Sequence, residues 1–263
     1  MSNVELTDRK EKILQILKTH RLLTIDQLEY LHPDFGKQSQ SQLLLRRDIN
    51  KLSEFYFIDK ATRKPAKQWD NSTKKTIILA LGEVGSEFVG WKHYKRIRYE
   101  NGKAILPKTT HHILRIHDME IQTRELLNQM NVEVKLWVYE CGNQIVAHEN
   151  RLNPDAFCLM QDKTNGKYYT AFFEYDTGKM DFRKRTKFPE LAKKFGKYQE
   201  VQGWKPWDEN KFPHLFFVTE AQSRFPGVPD LLKEKGIKNT VCMQNEFELY
   251  LKEFIQNMRK QNA

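Results

Sequence analysis

The sequence predicts a two-part α+β chain: a small three-helix domain closed by a β-hairpin, then a larger α/β domain with helices packed on a sheet. Three observations predict it. Residues 7–54 carry three short apolar stripes at helical spacing, followed by two runs rich in β-formers. From residue 112 the pattern changes to helix, three strands, helix, strand. The charge shifts near the same place. Residues 1–112 hold 21 Lys+Arg against 13 Asp+Glu, a net of +8, whereas 113–263 hold 23 against 21, a net of +2.

The first helix is TDRKEKILQILKT, with Thr7 as N-cap, Glu11 in the first turn and Ile13, Leu14, Ile16 and Leu17 as one stripe. A second, TIDQLEYLH, is capped by Thr24 and turns Leu28 and Leu31 inward. After HPDFGK, a third helix, SQSQLLLRRDINKLSEFYF, places Leu44, Ile49 and Leu52 inward and leaves Gln42, Arg46, Arg47, Asn50 and Lys51 on the surface. FIDK and TIILAL read as strands. Their connection holds Arg63, Lys64, Lys67, Lys74 and Lys75 against the single acid Asp70. GEVGSEFVGW reads as a short closing helix.

Gln, Arg and Asn on a third helix suit base edges in a major groove, and a basic hairpin loop suits the flanking phosphates. Residues 5–91 therefore read as a winged helix-turn-helix domain for double-stranded DNA. Its binding residues are Gln42, Arg46, Arg47, Asn50 and Lys51, with Arg63, Lys64 and Lys67 in the wing. The bland alternative is a protein-binding surface of the same shape. Residues 92–110, basic and without clear periodicity, read as a linker, and 111–263 as the second domain.

No apolar run approaches a membrane span, and MSNVELTDRK lacks the apolar core of a signal peptide, so the expected location is the cytoplasm and no membrane partner is expected. Three cysteines without a CxxC pair speak against a zinc ribbon and read as reduced core thiols. His111, His112 and His117 gather near a helix start and read as capping or core residues before metal ligands.

In the second domain, Glu174 and Asp176 end the apolar strand YYTAFFEYD and share one face. The preceding strand begins at NPDAF, and DKTNGK between the two is a hairpin turn. With Asn165-Gly166 as the loop, paired positions sum to 331 and Asp155 faces Asp176; with Thr164-Asn165 the sum is 329 and Asp155 faces Glu174. Either register gathers carboxylates on one face. The usual compensation is a divalent cation with oxygen ligands, Mg²⁺ or Mn²⁺. Lysines are the other means, and residues 177–198 hold eight Lys+Arg against two acids.

Pro154-Asp155, followed by an acid at a strand end within an αβββαβ order, resembles the PD-(D/E)xK nuclease-like fold. More closely, 112-HILRIHDMEI-121, 153-NPDAF-157, 173-FEYDTG-178 and 214-HLFFVTE-220, behind the N-terminal winged helix, resemble the replication–relaxation family of plasmids and mobile elements. The resemblance spans about residues 10–225. It implies plasmid replication or DNA relaxation. The nuclease-like fold implies metal-dependent nicking, with Asp155 and Glu174 holding the metal and Glu120 as an added ligand; replication proteins and a homo-oligomer are the further associations to expect. The third motif position, usually lysine, is Asp176. Lys193 and Lys197, on one face of the following helix, are the candidate replacements. Two functions stay open: a metal-dependent endonuclease, or a non-enzymatic regulator or origin-binding protein with a degenerate nuclease-like domain.

Overall fold

The computed structural model describes residues 6–36, 39–63, 76–91, 97–140, 146–147, 150–178, 189–202, 212–224 and 227–261. The chain forms two compact units, 1–121 and 122–263. Among the described residues no helix is long and apolar enough to cross a membrane.

The first unit runs α1 (Asp8–His20), β1 (Leu22–Thr24), α2 (Ile25–Leu31), α3 (Ser39–Glu54), β2 (Ile58–Arg63), β3 (Thr76–Leu81) and α4 (Glu83–Phe88). Thr7 takes the N-cap position of α1 without a side-chain cap bond. Thr24 caps α2 fully: its hydroxyl accepts from Gln27 N and the Gln27 side chain accepts from Thr24 N, both at 3.0 Å. The stripe Ile13, Leu14, Ile16 and Leu17 is buried against Leu28, Ile49, Leu52, Ile58 and Leu79. Leu31 packs at its edge. On α3 the inward leucine is Leu45, fully buried, and Leu44 is 39% exposed. Three successive leucines cover more than one helix face, and Ile49 and Leu52 select Leu45, four and seven residues before them.

The three strands form an antiparallel sheet in the order β1-β3-β2. Gly85 in α4 lies so close to the α3–β2 corner that a Cβ there would stand 2.1 Å from the Phe57 carbonyl oxygen, which fixes the residue as glycine. The span expected as a linker is partly folded. Residues Arg98–Glu100 (β4) and Lys103–Ile105 (β5) make a hairpin, and the Tyr99 hydroxyl donates to the Lys60 carbonyl at 2.6 Å. Buried Ile97, with Leu106, joins Leu22, Ala61, Ile78, Ala80 and Leu114 in a second core. Leu114 belongs to α5 (Thr110–Gln129), whose first two turns also hold His117, driven down to about 4 by burial despite its bond to the His20 carbonyl.

The second unit contains β6 (Val132–Tyr139), the short β7 (Val146–Ala147) and β8 (Asn150–Arg151), then β9 (Ala156–Asp162), β10 (Tyr168–Asp176), α6 (Pro189–Gln202), β11 (His214–Thr219), α7 (Val228–Glu234), β12 (Asn239–Met243) and α8 (Phe247–Gln261). A five-stranded mixed sheet has the order β12-β11-β10-β9-β6. Pairs β6–β9 and β9–β10 are antiparallel; β10–β11 and β11–β12 are parallel. Alternation along β10 divides the core. Phe172 packs with Leu191, Phe195 and Tyr198 of α6, whereas Phe173 stacks with Trp137 and Phe216 and meets Phe247 of α8.

Candidate functional site

The β9–β10 register decides which carboxylates meet. Phe173 pairs with Ala156 and Tyr168 with Gln161, so paired positions sum to 329 and the next pair outward is Asp155 with Glu174. The loop is four residues, 163–166, closed by Asp162 N to the Lys167 carbonyl at 2.9 Å. Asp162 forces this choice. Its Oδ1 accepts from Thr164 N at 2.9 Å and from the Thr164 hydroxyl at 2.6 Å, which winds Thr164 into the turn ahead of Asn165.

Glu174 is 2% exposed on the face of β10 that carries α6. Tyr198 of α6 donates its hydroxyl to Glu174 Oε1 at 2.5 Å, and the Lys194 ammonium donates to Glu174 Oε2. The same Nζ stands 3.6 Å from Asp155 Oδ1, while Asp155 Oδ2 accepts from Tyr175 N at 2.8 Å. Two carboxylates from adjacent strands thus face one ammonium from a helix. Burial, then the Asp155 charge, pushes Glu174 up to about 8, with Lys194 and Tyr198 pulling only part of the way back. Burial would lower the Lys194 amine. The charges of Asp155 and Glu174 outweigh it and hold Lys194 above the ordinary lysine range.

The lysine brought to the acids is therefore Lys194, not Lys193 or Lys197. Lys193 is exposed and Lys197 half-buried. The signal lay in the apolar spacing of α6: Leu191, Phe195 and Tyr198 face the sheet, and Lys194 lies three residues after the first and four before the last. Asp176 is buried at the end of β10. Its Oδ1 accepts from Gly178 N at 3.1 Å and its Oδ2 from the Thr219 hydroxyl at 3.3 Å. It shapes the exit of the strand, where Gly178, at φ +69, has no room for a Cβ beside Ala221. Glu120 belongs to the first unit, where it groups with His20 and His117. Of the basic run 177–198, residues 179–188 lie outside the described residues.

In the first unit, Arg46, Arg47, Asn50 and Lys51 are exposed along α3, beside Leu43 at 69% exposure. Their mounting is rigid. Buried Asp48 on the opposite side of α3 accepts from Arg9 Nε at 2.9 Å, and Arg9 also donates to the Ser41 carbonyl. Gln42 is half-buried and donates to Glu29 at 3.1 Å; Asn50 accepts from Lys60 of β2 at 2.9 Å. Arg63 ends β2, and Lys64 and Lys67 lie outside the described residues.

No curated protein and no solved structure gives a significant match to this chain. The replication-relaxation family model matches residues 14–215, a span that contains α3, Asp155, Glu174 and Lys194 and most of the 263 residues. The chain belongs to the replication-relaxation family.

Proposed function

We propose that the protein binds double-stranded DNA through its first unit and nicks it, with a divalent metal ion, through its second, in the replication or relaxation of a plasmid or other mobile element. The order α1-β1-α2-α3-β2-β3, with a β1-β3-β2 sheet, supports a winged helix in which α3 is the recognition helix. The order α5-β6-β9-β10-α6-β11 supports a PD-(D/E)xK-like core. One observation carries the catalytic part: Lys194 reaches both Asp155 and Glu174 from α6, supplying from a helix the cation that the strand lacks at Asp176.

The donor set fits Mg²⁺ or Mn²⁺, since such ions take one or two carboxylates and complete their shell with water and phosphate oxygens. Asp155 and Glu174 would hold the ion, which would supply Lewis-acid activation of water and charge stabilisation at the scissile phosphate. Lys194, displaced from between the acids, would remain within reach of the developing negative charge. Tyr198 would keep Glu174 oriented.

The same ammonium also favours a second function. A lysine that already neutralises both acids leaves a stable, metal-free salt bridge, as a non-enzymatic regulator or origin-binding protein would retain. A supercoiled-plasmid nicking assay with Mg²⁺, Mn²⁺ and EDTA separates the two. Nicking that requires metal, and that falls about 10³-fold or more in Asp155→Ala and Glu174→Ala, is the expected result. Metal-dependent nicking unchanged by these substitutions removes Asp155 and Glu174 from the site, and no nicking with any metal returns the second function.

DNA binding has its own test. The double variant Arg46→Ala/Arg47→Ala is expected to weaken duplex binding by about 10-fold or more and to flatten the dependence of log K on log salt by roughly two charges' worth. An unchanged salt slope in a gel-shift titration would remove α3 from the interface.

A further inference from the structure

The first unit holds a second group of ligating side chains that the nicking site does not use. His20 ends α1, and His117 and Glu120 lie three residues apart on one face of α5. All three are buried, and one donor atom from each lies within 4.8 Å of the others. His32, just after α2, brings its Nε2 to 3.3 Å from His20 Nε2. We propose that His20, His117 and Glu120, with His32 as fourth ligand, bind a single zinc-type transition-metal ion within the first unit.

The distances suit such an ion. Tetrahedral Zn²⁺ with Zn–N near 2.0–2.1 Å separates neighbouring ligand nitrogens by roughly 3.3–3.4 Å, close to the His20–His32 spacing. The His20, His117 and Glu120 donors, within 4.8 Å of one another, would draw in to that value around an ion by side-chain rotation. The His117 tautomer is also fixed. Its Nε2 lies 3.1 Å from the His20 carbonyl oxygen. A carbonyl only accepts, so the proton sits on Nε2, and Nδ1 is the nitrogen that would turn to a metal. Ligating histidines commonly show this outer bond to a backbone carbonyl.

The donor chemistry selects the metal. Three imidazoles and one carboxylate suit Zn²⁺, Co²⁺ or Ni²⁺, whereas Mg²⁺ and Ca²⁺ take all-oxygen shells. Four protein ligands leave no open coordination position, so the ion is structural. It would tie the ends of α1 and α2 to α5, the helix that leads into the second unit. The site thus differs in metal, donors and role from Asp155–Glu174, and it stands or falls independently of the nicking activity.

The test uses the full chain. Protein grown with zinc and dialysed without chelator is expected to retain about one zinc per chain by elemental analysis. Stripped with chelator and titrated with Co²⁺, it should show the intense visible bands of tetrahedral cobalt, and Zn²⁺ should raise its Tm. Glu120→Gln, nearly isosteric, and His32→Gln should each weaken zinc binding about tenfold or more. If these variants fail to fold, the titration of stripped wild-type protein decides alone. The Asp155→Ala/Glu174→Ala variant should bind zinc as wild type does. Wild-type protein with no retained zinc, no tetrahedral cobalt spectrum and no Tm response overturns the site. So does zinc binding that survives Glu120→Gln and His32→Gln undiminished, or that disappears with Asp155 and Glu174.

Discussion

Lys194→Met is expected to lower metal-dependent nicking by about 10²-fold or more, the usual cost of removing one charged group from a phosphoryl-transfer site. Lys193→Met and Lys197→Met should leave the rate within a factor of about two, as surface changes away from a site do. The contrast follows from position. Of these three lysines Lys194 is the one that reaches the acids, and methionine keeps an apolar stem of similar length while deleting the ammonium. Stability should suffer less than activity. Glu174 is buried and would lose its ionic partner, but a carboxyl already raised to about 8 takes up a proton readily. Lys194 is also one-third exposed, so the cost is about 1–3 kcal/mol rather than the larger penalty of a stranded buried charge. If Glu174 of the wild type holds the metal as proposed, metal entry has to expel its proton, so apparent Mg²⁺ affinity should rise with pH up to about pH 8 and then level off. Nicking rates measured against Mg²⁺ concentration at several pH values check this. A flat profile would show that Glu174 is not a ligand.

Much of this site was legible in the chain because strands and helices impose simple periods. YYTAFFEYD is the strand β10 residue for residue, and its alternation alone put Glu174 and Asp176 on one face. The hairpin narrowed the partner of Asp155 to two registers. It could not choose between them, because the choice rests on Asp162 capping Thr164, a bond that competes with the Asn-Gly signal. The helix lysine was expected in kind and missed by one residue: Lys193 and Lys197 share a face, but the buried face of α6 runs through Leu191, Phe195 and Tyr198 and takes Lys194 with it. The same limitation placed Leu44 in the core in place of Leu45. The β4–β5 hairpin carries too little apolar signal to be seen, since its burial comes from the flanking Ile97 and Leu106. The histidine cluster was hidden for a different reason. His20, His32 and His117 are far apart in sequence, and only the packing of α1, α2 and α5 brings them together.

Arg259→Met is expected to destabilise the second unit by about 2–4 kcal/mol, the largest loss of stability for any single substitution considered. The full penalty of a stranded buried carboxylate is reduced because Arg259 is one-third exposed. Asp162 has no exposed surface, and Arg259 from α8 makes two ionic bonds to it, Nε to Oδ2 at 2.7 Å and Nη2 to Oδ1 at 3.1 Å. The same Nη2 donates to the Met130 carbonyl at 2.7 Å, at the end of α5. One guanidinium therefore joins the last helix, the β9 hairpin and the end of α5. Removing it leaves a buried carboxylate that, among the described residues, keeps Thr164 and, at 3.5 Å, the Tyr169 hydroxyl. Asp162→Asn should cost less, because Arg259 is one-third exposed and can return to water. The pH dependence separates the pair from mere packing. The Arg259 bonds, offset in part by burial, hold Asp162 well below the usual carboxylate range. A depressed folded-state pKa means that this stabilisation is fully present above the unfolded value, about 3.9, and is lost as pH falls below it. Urea denaturation at neutral pH should thus show the full deficit of Arg259→Met, and the deficit should shrink as pH drops below about 4. The double variant with Asp162→Asn should recover part of the loss, with a coupling of roughly 1–3 kcal/mol. A deficit that is the same at acid and neutral pH would assign the effect to the packing of the Arg259 stem, and the clamp would then not be ionic.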